Sequence, residues 1–271
     1  MPELPEVETT RRGIAPHVVG EHIVDVIVRN PSLRWPIPAE LPDRLKGQVV
    51  RSLARRGKYL LMGFDVGTAL WHLGMSGSMR IIRNNEAPAK HDHIDVQFKN
   101  GSLLRFNDPR RFGALLWTED DPFTHELIAH LGPEPLTDCF DVDYLFSMCR
   151  KRTQAIKTFL MDSKVVVGVG NIYANEALFA AGIKPTKAAG RVTYAQCERL
   201  IPQIKKILQR SIDQGGTTLR DFVGGDGKPG YFKQQLLVYG RAGEPCKTCD
   251  KPLKEVRLGQ RSTVYCTRCQ I

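Results

Sequence analysis

Hydrophobic and polar residues change their period along the chain, and each change marks a different architecture. Pro5 can open a helix through Glu6, Val7, Arg11 and Ile14, because a first-turn N–H has no helical partner to lose. Pro16 is expected to end that helix. From residue 22 to 117 the apolar residues gather into short β-rich runs: HIVDVIV, QVVRSL, KYLLMGF, TALWHL, SMRII, HIDVQF, SLLRF and GALLW. Many short strands with turn residues between them predict a sandwich or barrel. Asp65 to Gly67 and Asn100-Gly101 have the chemistry of tight hairpin turns. Residues 119–137 mix acids and prolines and mark a connection.

Beyond that connection the period becomes helical. Asp143–Cys149, Ala155–Met161, Ile172–Ala181 and Tyr194–Gln214 read as helices, the last carrying Leu200, Ile204, Ile207, Leu208 and Ile212 at helical spacing. Six glycines between 215 and 230 predict a loop, and 231–271 returns to β-character. The expected fold is α+β and multidomain. It comprises an N-terminal helix with a β-sandwich (1–120), a linker (121–137), a helical domain with a glycine-rich loop at 215–232 (138–232), and a C-terminal hairpin (233–271).

Composition narrows the class without naming a function. Apolar residues make up 42% and charged residues 25% of 271, which excludes a disordered chain, a collagen-like repeat and a disulfide miniprotein. No uninterrupted apolar run is long enough to span a bilayer, and the acidic start MPELPEVETT is unlike a signal peptide. A cytoplasmic protein with no membrane partner is expected. The net charge of +10 is uneven: residues 1–40 carry six acids and four bases, so the remainder holds +12. That balance suits a polyanionic partner as well as it suits plain solubility.

Cys246-x2-Cys249 and Cys266-x2-Cys269 are separated by sixteen residues, the pattern of a four-thiolate zinc site on two knuckles. Four protein ligands leave no open position, so one structural Zn2+ is expected. Between the knuckles VRLGQRSTV predicts a hairpin turning near Gly259, with Arg261 at its tip, either solvated or reaching a phosphate. The segment VGVGNIYANE brings Asn171 to a helix start, where it can cap the helix or help hold a phosphate. With the preceding helix it makes a helix, two turns and a helix, a shape suited to gripping a nucleic-acid backbone. Four bases and no acid lie between Arg51 and Lys58, with His72 two short strands later.

The N-terminus is the sharpest chemical signal. A small second residue, Pro2, permits removal of Met1 and would leave a secondary amine beside Glu3 and Glu6. An α-amino group with pKa near 7.7 is roughly a tenth to a fifth neutral at pH 7, against about one part in 2,500 for an ordinary lysine. Such an amine can attack a sugar C1′ and form an iminium while a neighbouring carboxylic acid protonates the ring oxygen.

PELPEVE, NDPRRFG, VGVGNIYANE and the paired CxxC motifs, in that order, closely resemble bacterial formamidopyrimidine-DNA glycosylases, and the resemblance spans essentially the whole chain. It implies a bifunctional base-excision repair enzyme that removes 8-oxoguanine and formamidopyrimidines from damaged double-stranded DNA and then cleaves the strand. It also implies that Pro2 is the nucleophile and Glu3 the general acid, with Glu6 in support and Lys58 of RGKYL contacting the DNA near the lesion. Met75, Arg110 and Phe112 would fill the gap left by the everted nucleotide, and Asn171 and Arg261 would clamp phosphates. His72 and Lys157 would be further DNA contacts, residues 217–232 would close over the purine, and the enzyme is expected to be a monomer. The related endonuclease-eight-like group shares the N-terminal proline and zinc hairpin but prefers oxidised pyrimidines; NDPRRFG and the glycine-rich segment favour the purine enzyme.

Overall fold

Helix α1 (Leu4–Val18) begins with Pro5 in its first turn and buries Val7, Ile14 and Val18. It continues through Pro16, where the sequence predicts a stop. The missing N–H falls in the last turn, and Val19 N–H closes the helix on Ala15 O at 3.0 Å, so the terminus is satisfied without it. The computed structural model describes residues 2–83, 86–216 and 236–271. Two compact units result, Met1–Ala129 with Gln214–Lys233, and His130–Asp213 with Gln234–Ile271.

The first unit is the predicted sandwich. Its elements after α1 are β1 (Ile23–Val28), α2 (Leu41–Leu45), β2 (Ser52–Arg56), β3 (Tyr59–Phe64), β4 (Gly67–His72), β5 (Ser78–Ile82), β6 (Asp92–Phe98), β7 (Leu103–Asn107) and β8 (Ala114–Thr118). They form two antiparallel four-stranded sheets, ordered β1-β6-β7-β5 and β2-β3-β4-β8. One apolar cluster joins Leu60, Met62 and Trp71 of the second sheet to Met79, Ile94, Val96 and Phe106 of the first. Strand β2 starts at Ser52, not Gln48. Gln48 O instead accepts Ile23 N–H and Val49 bridges His22, so this stretch pairs with the entry to β1. Helix α2, with only Leu41 and Leu45 buried, is too short to have shown a period.

The second unit contains α3 (Val142–Cys149), α4 (Ile156–Leu160), α5 (Asn171–Ala180), α6 (Tyr194–Asp213), β9 (Lys254–Leu258) and β10 (Arg261–Tyr265). Strands β9 and β10 turn through Gly259 and Gln260, both left-handed at φ 53° and 58°, the geometry of a type I′ hairpin. A small cluster of Phe179, Val238, Leu253 and Val264 lies around Cys246 and Cys266. The hairpin is tied to α5 by Val264 N–H, which donates to the buried Asn175 Oδ1 at 3.0 Å.

Candidate active site and nucleic-acid interface

Pro2, Glu3 and Glu6 are brought together at the head of α1, and all three are buried. Glu6 folds back on the helix start, its Oε2 accepting Glu3 N–H at 2.8 Å. This holds the backbone that carries the Glu3 carboxyl. Gly216 lies against Glu6: a Cβ on it would stand 3.4 Å from Glu6 Oε1.

One turn further, Glu8 collects three guanidinium groups, accepting from Arg11 (2.8 Å), Arg12 (2.8 Å) and Arg55 (3.1 Å). Burial alone would raise the Glu8 pKa. The arginine hydrogen bonds and charges outweigh it and hold the carboxyl down at about 2. Arg55 also donates to Gly57 O at 2.9 Å. Gly57 occupies the first central position of the β2–β3 turn at φ 57°, and Lys58 is the second. The chain Glu8, Arg55, Gly57 therefore sets the turn that presents Lys58 relative to α1. Nothing in the charge pattern singled out Glu8 among the early acids. The i,i+3 and i,i+4 arginines are a visible signal, but Arg55 reaches it only through the tertiary fold.

His72 ends β4, its ring 4.8 Å from that of Tyr59. Burial, then the nearby positive charges of Lys58 and Arg34, depress its pKa to about 4. Its Nδ1 accepts Gly74 N–H at 2.9 Å, so the neutral ring carries its proton on Nε2. Met75 follows, half-buried. Arg110 and Phe112 are exposed, Phe112 at 42%, and the guanidinium lies 4.9 Å from the centre of the Phe112 ring. An exposed phenylalanine beside an arginine offers a stacking face and a hydrogen-bonding fork together.

In the second unit the structure corrects two readings. Lys157, expected to touch DNA, is fully buried. Its ammonium donates to Asn171 Oδ1 (2.5 Å), Ser262 O (2.8 Å) and Thr263 Oγ1 (2.7 Å), which spends all three N–H bonds inside the protein. Asn171 is not the cap of α5: that place belongs to Gly170, and Asn171 is the first helical residue, with its side chain held by Lys157. The same lysine holds the β10 backbone one residue from Arg261, which is exposed at the start of that strand. Lys157 thus organises Asn171 and the Arg261 hairpin as one piece.

The sulfurs of Cys246, Cys249, Cys266 and Cys269 all lie within 4.8 Å of one another, two pairs at 3.4 and 3.9 Å. Tetrahedral Zn2+ with Zn–S bonds near 2.3 Å needs sulfurs about 3.8 Å apart, so the donor set and its spacing fit one structural zinc ion. The lesion-recognition reading of residues 217–232 lies outside the described residues, as does Met1.

Family models match in three consecutive pieces: the formamidopyrimidine-DNA glycosylase N-terminal domain over residues 1–115, its H2TH domain over 131–223, and a zinc finger found in FPG and IleRS over 243–271. A formamidopyrimidine-DNA glycosylase of Cellvibrio japonicus is 63% identical over 270 residues, covering 100% of both chains. The chain belongs to the formamidopyrimidine-DNA glycosylase family. Among solved structures, Lactococcus lactis Fpg in complex with DNA containing an abasic site matches with TM-score 0.92 at 32% identity, over 99% of each chain. The same L. lactis protein with a FAPY-dG containing DNA matches with TM-score 0.90 at 32% identity, again over 99% of each chain. The expected fold of helix, sandwich, helical domain and zinc hairpin is borne out by these matches and by the structure, and so is the zinc. Among the described residues no helix is long and apolar enough to cross a membrane.

Proposed function

We propose that this protein is a base-excision repair enzyme that removes 8-oxoguanine and formamidopyrimidines from duplex DNA and cleaves the strand at the resulting abasic site. The observation that carries this reading is the placement of Pro2 and Glu3 at the head of α1, with Glu6 fixing the Glu3 backbone. Once Met1 is removed, the Pro2 nitrogen becomes a secondary amine. Its lone pair attacks C1′ of the damaged nucleotide, the bond to the base breaks, and the purine leaves with a proton. Glu3 protonates the sugar ring oxygen, and the ring opens to an iminium joined to Pro2. Loss of a C2′ proton then expels the 3′ phosphate, and a second elimination expels the 5′ phosphate.

C1′ is out of reach while its base is stacked, so the nucleotide must be everted. Met75, Arg110 and Phe112 take its place, the aromatic ring stacking and the guanidinium hydrogen-bonding the widowed cytosine. Lys58, Asn171 and Arg261 hold the phosphates, and His72 offers Nε2–H to the backbone. Lys157 supports Asn171 and Arg261 from inside the protein. The chain works as a cytoplasmic monomer organised as residues 1–120, 121–137, 138–232 and 233–271, with DNA and not a membrane as its partner.

The test is borohydride trapping on a duplex containing 8-oxoguanine. The mature enzyme is expected to give a covalent adduct at the N-terminal peptide, with an intact mass lacking Met1. Full activity in a preparation that retains Met1, or in Pro2→Gly with undiminished trapping, excludes the assignment.

A further inference from the structure

Met75 lies on the turn after β4, and Arg110 and Phe112 lie on the turn after β7, far apart in sequence. A single carboxylate spans the two turns. Asp108 is fully buried, with Oδ1 accepting Ser76 Oγ–H at 2.8 Å and Oδ2 accepting Gly113 N–H at 2.7 Å. Arg110 N–H points at the same Oδ1 and at Ser76 Oγ, 3.3 Å from each. The Asp108 backbone is anchored as well: its N–H donates to His91 O at 3.0 Å, and its carbonyl oxygen lies 2.8 Å from His93 Nε2. Every polar group of this residue is therefore engaged, as a buried charge requires.

The turn itself is shaped around this residue. Asp108 O accepts Arg111 N–H at 3.2 Å, Pro109 fills the second turn position, and Arg111 is left-handed at φ 57°. A non-glycine residue is strained there, so the surrounding contacts must enforce it, and the result is that Arg110 and Phe112 point away from the sandwich together. The two turns are also in direct backbone contact. A Cβ on Gly74, itself at φ 64°, would stand 2.4 Å from the Phe112 carbonyl carbon and 2.5 Å from Gly113 N. Neither turn can shift without displacing the other.

We propose that Asp108 is a positioning residue which, through Ser76, locks the Met75 turn to the Arg110–Phe112 turn so that the three side chains enter DNA as one rigid wedge with a fixed view of the opposite base. This rests on the reading that these three side chains fill the vacated position. Neither Asp108 nor Ser76 touches substrate in that reading. Their effect is on geometry: a loosened wedge still inserts, but the Arg110 guanidinium no longer meets the cytosine edge at a set angle.

The experiment compares kcat/KM for duplexes carrying 8-oxoguanine opposite cytosine and opposite adenine, together with the thermal midpoint of each variant. Arg110→Ala is expected to erase the preference for cytosine, about tenfold or more for one good base contact. Ser76→Ala, which deletes only the linking hydroxyl, is expected to lose most of the same preference, and Ser76→Thr, which retains a hydroxyl, to recover it. Asp108→Asn serves as the second variant, since an amide cannot accept on both sides of the link. Ser76→Ala in the Arg110→Ala background should change the ratio no further. If Arg110→Ala erases the preference while Ser76→Ala and Asp108→Asn retain it, the lock is refuted and the wedge stands. If Arg110→Ala retains the preference, the wedge reading fails and the lock fails with it.

Discussion

Lys157 Nζ lies 2.5 Å from Asn171 Oδ1, and no part of the lysine is exposed. A buried ammonium persists only where its charge is met by acceptors, and here Ser262 O and Thr263 Oγ1 supply the others. The lysine therefore acts as a bolt between the start of α5 and the zinc hairpin.

That position separates two effects on DNA binding. Lys157→Met should destabilise the protein by about 1 to 3 kcal/mol, because it strands buried acceptors, and should weaken DNA binding through misplaced Asn171 and Arg261. It should leave the slope of log K against log salt nearly unchanged, because the lost charge displaces no counterions. Arg261→Ala and Lys58→Ala should each shallow the slope by about 0.9. Filter binding across a salt series measures all three.

Zinc removal should act on the second unit alone. The hairpin cluster holds few apolar residues besides the cysteines, too few to order β9 and β10 without metal. Elemental analysis should find one zinc per chain. Chelation under denaturant should release it, abolish DNA binding and lower the thermal midpoint of the second unit. The sandwich, whose core has no metal ligand among the described residues, should keep its own transition.

The fold was largely legible because its signals are local. Period-two runs, hairpin turns at Asp65–Gly67 and Asn100-Gly101, and the cysteine spacing all act over a few residues. Pro16 misled because a proline in a last helical turn loses little, and α2 was silent because five residues show no period. The site was less legible for a different reason. Lys157, which the family resemblance implies is a DNA contact, is buried and hydrogen-bonded to Ser262 and Thr263, more than a hundred residues away. Asp108 and Ser76, 32 residues apart, and Glu8 and Arg55, 47 apart, form pairs that only tertiary folding creates. Charge type was visible in the sequence, but whether a charge faces DNA or the interior was not.

His72 gives a pH dependence of definite sign. Its pKa falls from 6.5 to about 4 on folding, so below pH 6.5 the unfolded chain binds the proton more readily. Its contribution to stability is present above pH 6.5 and is lost as pH falls towards 4, by up to about 3 kcal/mol. Protonation would also remove the Nδ1 lone pair that accepts Gly74 N–H, next to Met75. Urea midpoints measured from pH 7 to 4 should therefore fall more steeply for the parent protein than for His72→Gln, whose side chain does not titrate. The His72 ring resonances should stay in their neutral positions between pH 5.5 and 8.

Glu3 and Pro2 should separate by substrate. Once the purine is displaced, the closed sugar ring left on Pro2 must open before the base can return, and the proposed role of Glu3 is to protonate the ring oxygen at that step. A preformed abasic site already equilibrates with its open aldehyde, so the Pro2 amine can form the iminium without that proton. Glu3→Gln should therefore lower 8-oxoguanine excision by about a hundredfold or more, in the range of general acid catalysis, and lower cleavage of an abasic duplex far less. DNA binding should change little, since Glu3 is buried at the helix start and is no cation. A Pro2 variant without a free amine, such as one that retains Met1, should lose both activities equally, because both pass through the same covalent bond. Parallel single-turnover assays on the two duplexes decide the matter. Equal losses in Glu3→Gln would place the carboxyl in amine activation, common to both reactions, and not in ring opening.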